Sequence, residues 1–200
     1  EMEFDTSIKK VVVLFLSTIA ALTLIFCIFG SFYTVNQKNA AVLTFWGKYE
    51  RVETAGLHFK IPFAESTTIY SLATQQIDVE KTNVQTSDNQ KAFISMIVQY
   101  DIPPSGIPII YSKYPDYENR IYNLSRDIMR NTFGKYNVMD IPMKRQEIES
   151  EILSKLGTEA KHLYGANVTE VQINDVFYTH AFDHYINMMT KAKADVEQAH

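Results

Sequence analysis

The hydrophobic pattern of this chain changes character three times. The first regime is a run from Val11 to Tyr33, 23 residues without a charge. As an α-helix, such a run spans roughly 35 Å, enough for a hydrocarbon core of about 30 Å. In that core every backbone amide needs an internal partner, so one span must be helical. The residues expected to anchor it are Val11, Leu14, Phe15, Ile19, Leu22, Ile25, Phe26, Phe29, Phe32 and Tyr33. A cleaved signal peptide is the competing reading. It has a shorter apolar core and a small-residue exit site, whereas this run is long and ends in Phe29-Gly30-Ser31-Phe32-Tyr33. A retained anchor follows, with Phe32 and Tyr33 suited to the headgroup boundary.

The second regime, residues 34–102, reads as strands. Ala41-Val42-Leu43-Thr44-Phe45-Trp46 is β-prone and stops at Gly47. Leu57-His58-Phe59-Lys60-Ile61 alternates and stops at Pro62. Residues 67–72 form another candidate. Gln75–Thr86 and Lys91–Ile102 flank the turn formers Ser87-Asp88-Asn89-Gln90, which predicts a hairpin with Ile77, Val79, Phe93, Ser95 and Ile97 supplying the alternation.

After Pro103-Pro104 the period becomes helical. Asp116 is placed to cap a helix with Tyr117, Ile121, Leu124 and Ile128 on its apolar face, ending at Gly134. A second helix is predicted from near Asp140, with Pro142 in its first turn and a buried stripe of Ile141, Ile148, Ile152, Leu156 and Leu163. Gly165 is its C-terminal stop. Val168–Val176 alternates as a strand. Phe182, Ile186, Met189, Lys193 and Val196 then recur near a 3.5-residue period, the opening of a coiled coil that His200 cuts without a stop signal.

Composition narrows the function classes. About 165 residues outside the tail and span suit one domain or two small ones. A formal net charge of −4 and a pI near 5.7 argue against nucleic-acid binding. The single cysteine, Cys27, lies in the apolar run, so no disulfide framework exists within this sequence. Asn123-Leu124-Ser125 and Asn167-Val168-Thr169 match a glycosylation acceptor pattern but fall in regular structure. His180 and His184 share a helix face at zinc-ligand spacing, yet no Glu follows His180, and a solvated face is the expectation. His58 has no accompanying nucleophile motif. No catalytic, cofactor or metal site is expected. Lys9 and Lys10 precede the span, while Lys38, Lys48 and Arg51 follow it, so the positive-inside count leaves orientation open.

The order of these elements, with certain local motifs, resembles the SPFH (Band 7) superfamily, which includes stomatins, prohibitins, flotillins, HflK and HflC. The likeness begins at Val35 and runs through Phe45-Trp46-Gly47-Lys48 and Ala55-Gly56-Leu57-His58-Phe59-Lys60-Ile61-Pro62. Arg145-Gln146-Glu147-Ile148 is similar to the opening of the family's long helix, and Lys191–Asp195 to the start of its coiled coil. Ala55 stands where the family usually has Pro, and Asn36-Gln37-Lys38-Asn39 replaces an acidic-Gly pair. The absence of Pro within 11–33 resembles the prohibitin/HflK/HflC branch more than the stomatins.

The resemblance implies an α+β fold. Residues 1–10 would be a tail, 11–33 a transmembrane helix, and 34–177 an SPFH domain with β-rich (34–102) and β/α (103–177) subdomains. Residues 178–200 would start the coiled coil. It implies a non-catalytic scaffold assembling into a ring or cage with itself or a paralogous SPFH subunit. That scaffold would organise a membrane microdomain and regulate a membrane AAA protease of FtsH type; a stomatin-like modulator of a channel or transporter is the alternative. Phe59, Ile61 and Phe63 are expected to face lipid. Arg145, Phe182, Ile186, Met189 and Val196 are expected to contact neighbouring subunits. The implied location is a bacterial inner membrane with the domain periplasmic, ahead of the mitochondrial inner membrane; a cytoplasm-facing domain stays open.

Overall fold

The computed structural model describes residues 2–178. The expected coiled coil, 178–200, lies outside them apart from Tyr178, which ends a strand, and His180, His184, Phe182, Ile186, Met189 and Val196 lie outside them too. The chain divides after Leu72 into two units.

The first unit contains α1 (Met2–Gly30), β1 (Phe32–Val35), β2 (Asn39–Phe45), β3 (Lys48–Glu53), β4 (Gly56–Phe59) and β5 (Glu65–Ser71). The expected helix to residue 33 therefore ends three residues early. Gly30 is a weak helix former and the β-prone Phe-Tyr-Thr-Val that follows pairs instead with β4. Phe32 and Tyr33 belong to that strand, opposite Phe59 and His58, rather than to the helix. A second sheet has the order β3-β2-β5, all antiparallel. Its centre, Ala40-Ala41-Val42-Leu43, is fully buried on both faces, which explains a continuous apolar run where alternation would mark a half-buried strand. β3 escaped the sequence reading because Lys48-Tyr49-Glu50-Arg51-Val52-Glu53 is mostly exposed and carries no apolar period.

The second unit contains β6 (Gln75–Gln85), β7 (Lys91–Asp101), α2 (Ile107–Lys113), α3 (Tyr117–Phe133), α4 (Arg145–Tyr164) and β8 (Asn167–Tyr178). The sheet order is β6-β7-β8, antiparallel, with α3 packed on β6 and α4, and α4 on β8. The predicted hairpin is present, and the alternating set Phe93, Ser95 and Ile97 falls on the outer face of β7. Ala92, Ile94, Met96, Val98 and Tyr100 are buried, while Phe93 and Ile97 lie on the outer face. The inward positions are apolar without interruption, whereas the outer face mixes Phe93 and Ile97 with Lys91, Ser95, Gln99 and Asp101, so the unbroken apolar set marks the core side. The core joins Ala92, Ile94, Met96 and Val98 to Ile128, Met129 and Phe133 of α3 and Ile148, Ile152 and Leu156 of α4. Each fully buried aliphatic side chain there contributes about 1.5–3 kcal/mol.

Asp116 does stand at the N-cap of α3, but its carboxylate accepts from Arg120 Nε (2.7 Å) instead of capping the helix. α4 starts at Arg145; residues 140–144 form turns that still bury Ile141. Leu163 is exposed, and Tyr164 holds the last inward place, its ring edge-on to Tyr114 at 5.1 Å.

Gly165 ends α4 in the left-handed region, at φ 68°. It also lies backbone to backbone against Gly106 at the start of α2. A Cβ added to Gly165 would fall 2.6 Å from Gly106 Cα, and one on Gly106 would fall 2.5 Å from the Gly165 carbonyl oxygen. Gly157, within α4, meets nothing within 4 Å. The same substitution should thus have opposite signs at the two positions. Gly165→Ala is expected to destabilise by about 2 kcal/mol or more. Gly157→Ala should stabilise by about 0.5–1 kcal/mol through helix propensity. Chemical unfolding of the detergent-solubilised protein followed by circular dichroism checks both.

Candidate membrane-facing site

The apolar stretch of α1, Lys9–Gly30, is long enough to cross a membrane, and none of it is buried within the chain. A core helix of a soluble protein would be covered. Its hydroxyls need no outside partner. Ser17 and Thr18 donate to the Leu14 carbonyl (both 2.8 Å), and Thr23 donates to the Ile19 carbonyl (2.8 Å). In hydrocarbon this removes the cost of an unpaired polar group.

The exit from the helix is equally closed. Ser31 Oγ donates to the Cys27 carbonyl (2.5 Å), Ser31 N–H to that of Ile28 (3.3 Å), and Lys60 N–H to that of Ser31 (2.7 Å). The last bond joins the helix end directly to the residue after β4. In the β1–β4 ribbon, Phe32 and Phe59 meet edge to face at 5.8 Å. Tyr33 and His58, alternate residues of the same strands, project from the opposite face of the pleat.

Two bulky aromatics occupy the tips of neighbouring turns. Trp46 (φ 48°) and Gly47 (φ 79°) close the two-residue hairpin between β2 and β3, where positive φ at both central positions matches the strand twist. Phe63 (φ 67°) caps the turn between β4 and β5. The Trp46 N–H donates to the Ala64 carbonyl (2.9 Å), tying the turns together. Glu65 braces the second turn by accepting from Ile61 N–H (2.6 Å). A positive φ is costly for a large side chain. Yet Trp46 and Phe63 are 75% and 81% exposed, and Phe45, Leu57, Phe59 and Ile61 are exposed with them. This is a large exposed apolar surface within the unit that carries α1. The expected residues Phe59, Ile61 and Phe63 all lie in it. Trp46 and Leu57 were missed, Trp46 because it read as the end of a strand. The signal was a Trp-Gly pair at a hairpin position that Asn-Gly usually fills.

Beneath the ribbon lies a polar node centred on Glu53. Its carboxylate accepts from Tyr33 OH and Arg51 Nε (2.8 Å), and lies 3.3 Å from His58 Nδ1. His58 Nε2 meets the Thr54 carbonyl at 2.6 Å, so both ring nitrogens serve local structure. Burial pushes the Glu53 carboxyl up. The hydrogen bonds from Tyr33 and Arg51, with the neighbouring His58 and Arg51, outweigh it and hold Glu53 below the ordinary carboxylate value.

In the second unit, Arg145 is committed within its own chain. Its guanidinium donates to the carbonyls of Ile173 and Asn174, and Nε lies 3.5 Å from Glu149. Glu149 in turn accepts from the Ile173 N–H (2.9 Å). The β7–β8 ladder skips Asn174 between the pairs Ser95–Asp175 and Met96–Ile173. Arg145 and Glu149 thus satisfy backbone groups at a β-bulge. Glu151 is held down to about 2 by hydrogen bonds from Lys135 and Lys155, with a further one from Tyr136. Among the described residues no group of three His, Cys, Asp or Glu side chains could hold a metal ion.

The SPFH domain / Band 7 family model matches residues 33–200. Prohibitin-1 of Saccharomyces cerevisiae is 23% identical over 155 residues, 76% of this chain and 53% of that protein. Prohibitin-7, mitochondrial, of Arabidopsis thaliana is 26% identical over 179 residues, 88% of this chain and 64% of that protein. A stomatin homolog of Pyrococcus abyssi is 25% identical over 162 residues, 81% of this chain and 59% of that protein. The chain belongs to the SPFH/Band 7 family. It spans little more than half the length of these relatives.

Because the folded value of Glu53 is lowered, its stabilisation is present above the ordinary carboxylate value and lost as pH falls through the lowered one. Acidification from neutral to about pH 3 should therefore loosen the β1–β4 ribbon. Glu53→Gln should be less stable at neutral pH and lose less on acidification. Thermal unfolding reported by Trp46 fluorescence checks this; an unchanged acid response in the variant would remove Glu53 from the account.

Proposed function

We propose that the protein is a membrane-anchored, non-enzymatic SPFH scaffold. The observation that carries this reading is the exposed apolar surface around Trp46, Phe59, Ile61 and Phe63 in the unit that emerges from the anchor. A helix alone would leave its domain free to swivel. A helix together with an interfacial surface fixes the domain against the bilayer plane and presents the same lateral faces to every neighbour. Side-by-side contacts in that plane gain from a high effective concentration, and a heterologous contact that closes gives a ring.

In this reading α1 is a single pass and copies of the chain, or of a paralogous subunit, close into a ring or cage. The assembly organises a membrane microdomain and regulates a membrane AAA protease of FtsH type. A domain on the periplasmic face of a bacterial inner membrane fits this role. Stomatin-like control of a channel or transporter is the second reading, supported by the match to a stomatin homolog at an identity that falls between those of the two prohibitins.

Two experiments test the proposal. Electron microscopy of the protein, produced from its full natural gene and extracted in mild detergent, should show closed particles of many copies. Monomers or dimers would overturn homomeric assembly. Separately, Trp46 is the only tryptophan. In brominated-lipid bilayers its emission should be blue-shifted and quenched most by bromines near the headgroups. Red, unquenched emission would place the β surface away from the membrane.

A further inference from the structure

The ring of His58 sits between two acceptors. Its Nε2 lies 2.6 Å from the Thr54 carbonyl oxygen, and its Nδ1 lies 3.3 Å from a carboxylate oxygen of Glu53. Neither a carbonyl nor a carboxylate can donate, so each ring nitrogen needs its own proton. A neutral imidazole carries one. Whichever tautomer it takes, a ring lone pair then faces an oxygen lone pair at one of the two contacts. The imidazolium satisfies both. We propose that His58 is a proton-operated latch: as imidazolium it holds β4 to Glu53 at the end of β3 and to the turn that follows, and when it loses its proton the β1–β4 ribbon loosens from the three-stranded sheet.

The other members of the node keep one charge state around neutrality. Against the opposing effect of burial, hydrogen bonds from Tyr33 and Arg51 hold Glu53 below the ordinary carboxylate value, and the same bond to Glu53 holds Arg51 up. A tyrosine hydroxyl ordinarily keeps its proton to about pH 10, whereas histidine is the side chain that changes charge between about pH 5 and 8. Further charges around the node are Glu50, paired with Arg51 at 3.1 Å, Lys60, over the Tyr33 ring at 5.8 Å, and Glu65 of β5, which acts on Tyr33 and Arg51. The His58 and Glu53 side chains are 23% and 11% exposed, so water screens the pair little. The latch works in the opposite sense to the protonation of Glu53: its contribution is present at lower pH and lost as pH rises. The ribbon is therefore firmest between the two transitions. Its stiffness matters because β1 follows α1 through Ser31 alone, so the ribbon sets how firmly the span is joined to the sheet. That consequence rests on the membrane-anchor reading; the latch itself does not.

The protein from its full natural gene, in lipid nanodiscs, tests the latch. Hydrogen exchange read by mass spectrometry, corrected for the intrinsic pH dependence of exchange, should show opening of the peptides covering β1 and β4 rising about tenfold between about pH 5.5 and 8.5, the equivalent of one charge-assisted hydrogen bond. His58→Gln keeps a donor but cannot change charge, and it should remove the step. Glu53→Gln replaces the carboxylate that faces the ring and should shrink it. Magic-angle-spinning NMR of protein labelled with nitrogen-15 histidine, with His58 assigned by its loss in His58→Gln, should show protons on both ring nitrogens at the acid end and their loss in step with ribbon opening. A step of equal size in His58→Gln would overturn the latch. So would a ring nitrogen without a proton at the acid end, or proton loss by His58 with no change in the ribbon. Trp46 quenching by brominated lipid in the same samples reads the membrane separately. Red, unquenched emission with the step intact would leave the latch standing and remove its bearing on the anchor.

Discussion

The first unit depends on one constraint: where an apolar helix long enough to cross a membrane ends, its last backbone carbonyls need partners. A helix ends with several unpaired carbonyls, and at a membrane boundary water is an uncertain supply. Here Ser31 serves three bonds within one residue, donating from its hydroxyl and its N–H into the last turn and accepting from Lys60. The helix can therefore stop at Gly30 and the strand can begin at Phe32 without an intervening loop. That abruptness places the β1–β4 ribbon, the Glu53 node and the aromatic tips directly beside the span.

The second unit solves a related problem by other means. One face of β7, Ala92 to Tyr100 at alternate positions, is apolar throughout and takes the core, while Phe93 and Ile97 share the other face with Lys91, Ser95, Gln99 and Asp101. The α3 and α4 stripes cover the Ala92–Tyr100 set. The bulge at Asn174 would interrupt the satisfaction of backbone groups in β8, and Arg145 with Glu149, one turn apart on α4, supplies partners. The Arg-x-x-Ile stretch at the start of α4 thus has a structural meaning in this chain: Arg145 clamps a strand while Ile148, three residues on, enters the core.

Much of this was legible in the sequence because certain residues admit few conformations. The end of the uncharged run, the turn at Ser87–Gln90, Gly134 and Gly165 all marked boundaries that the structure places within a few residues, whereas the helix takes in the expected tail by starting at Met2. What was not legible had physical causes. The helix end at Gly30 rather than Tyr33 depends on a partner strand 25 residues away. β3 has no apolar period because it is a largely exposed edge. α2 is only seven residues long and is held by the Gly106–Gly165 approach, a tertiary fact. Of the exposed apolar surface, Phe59, Ile61 and Phe63 came from resemblance to a family. Trp46 was masked by its place at the end of an apolar run, although the Trp-Gly pair at a hairpin position carried the signal.

The absence of slack at Ser31 has a mechanical consequence. A flexible linker would let the helix tilt freely as bilayer thickness changes, and the domain would not feel it. With one residue between helix and strand, and that residue bonded on both sides, a change of tilt must be taken up by the β1–β4 ribbon itself or carried into the sheet beyond it. In the proposed anchored state the helix would then be a lever as well as a tether, and a change in local membrane thickness would be felt by the folded domain.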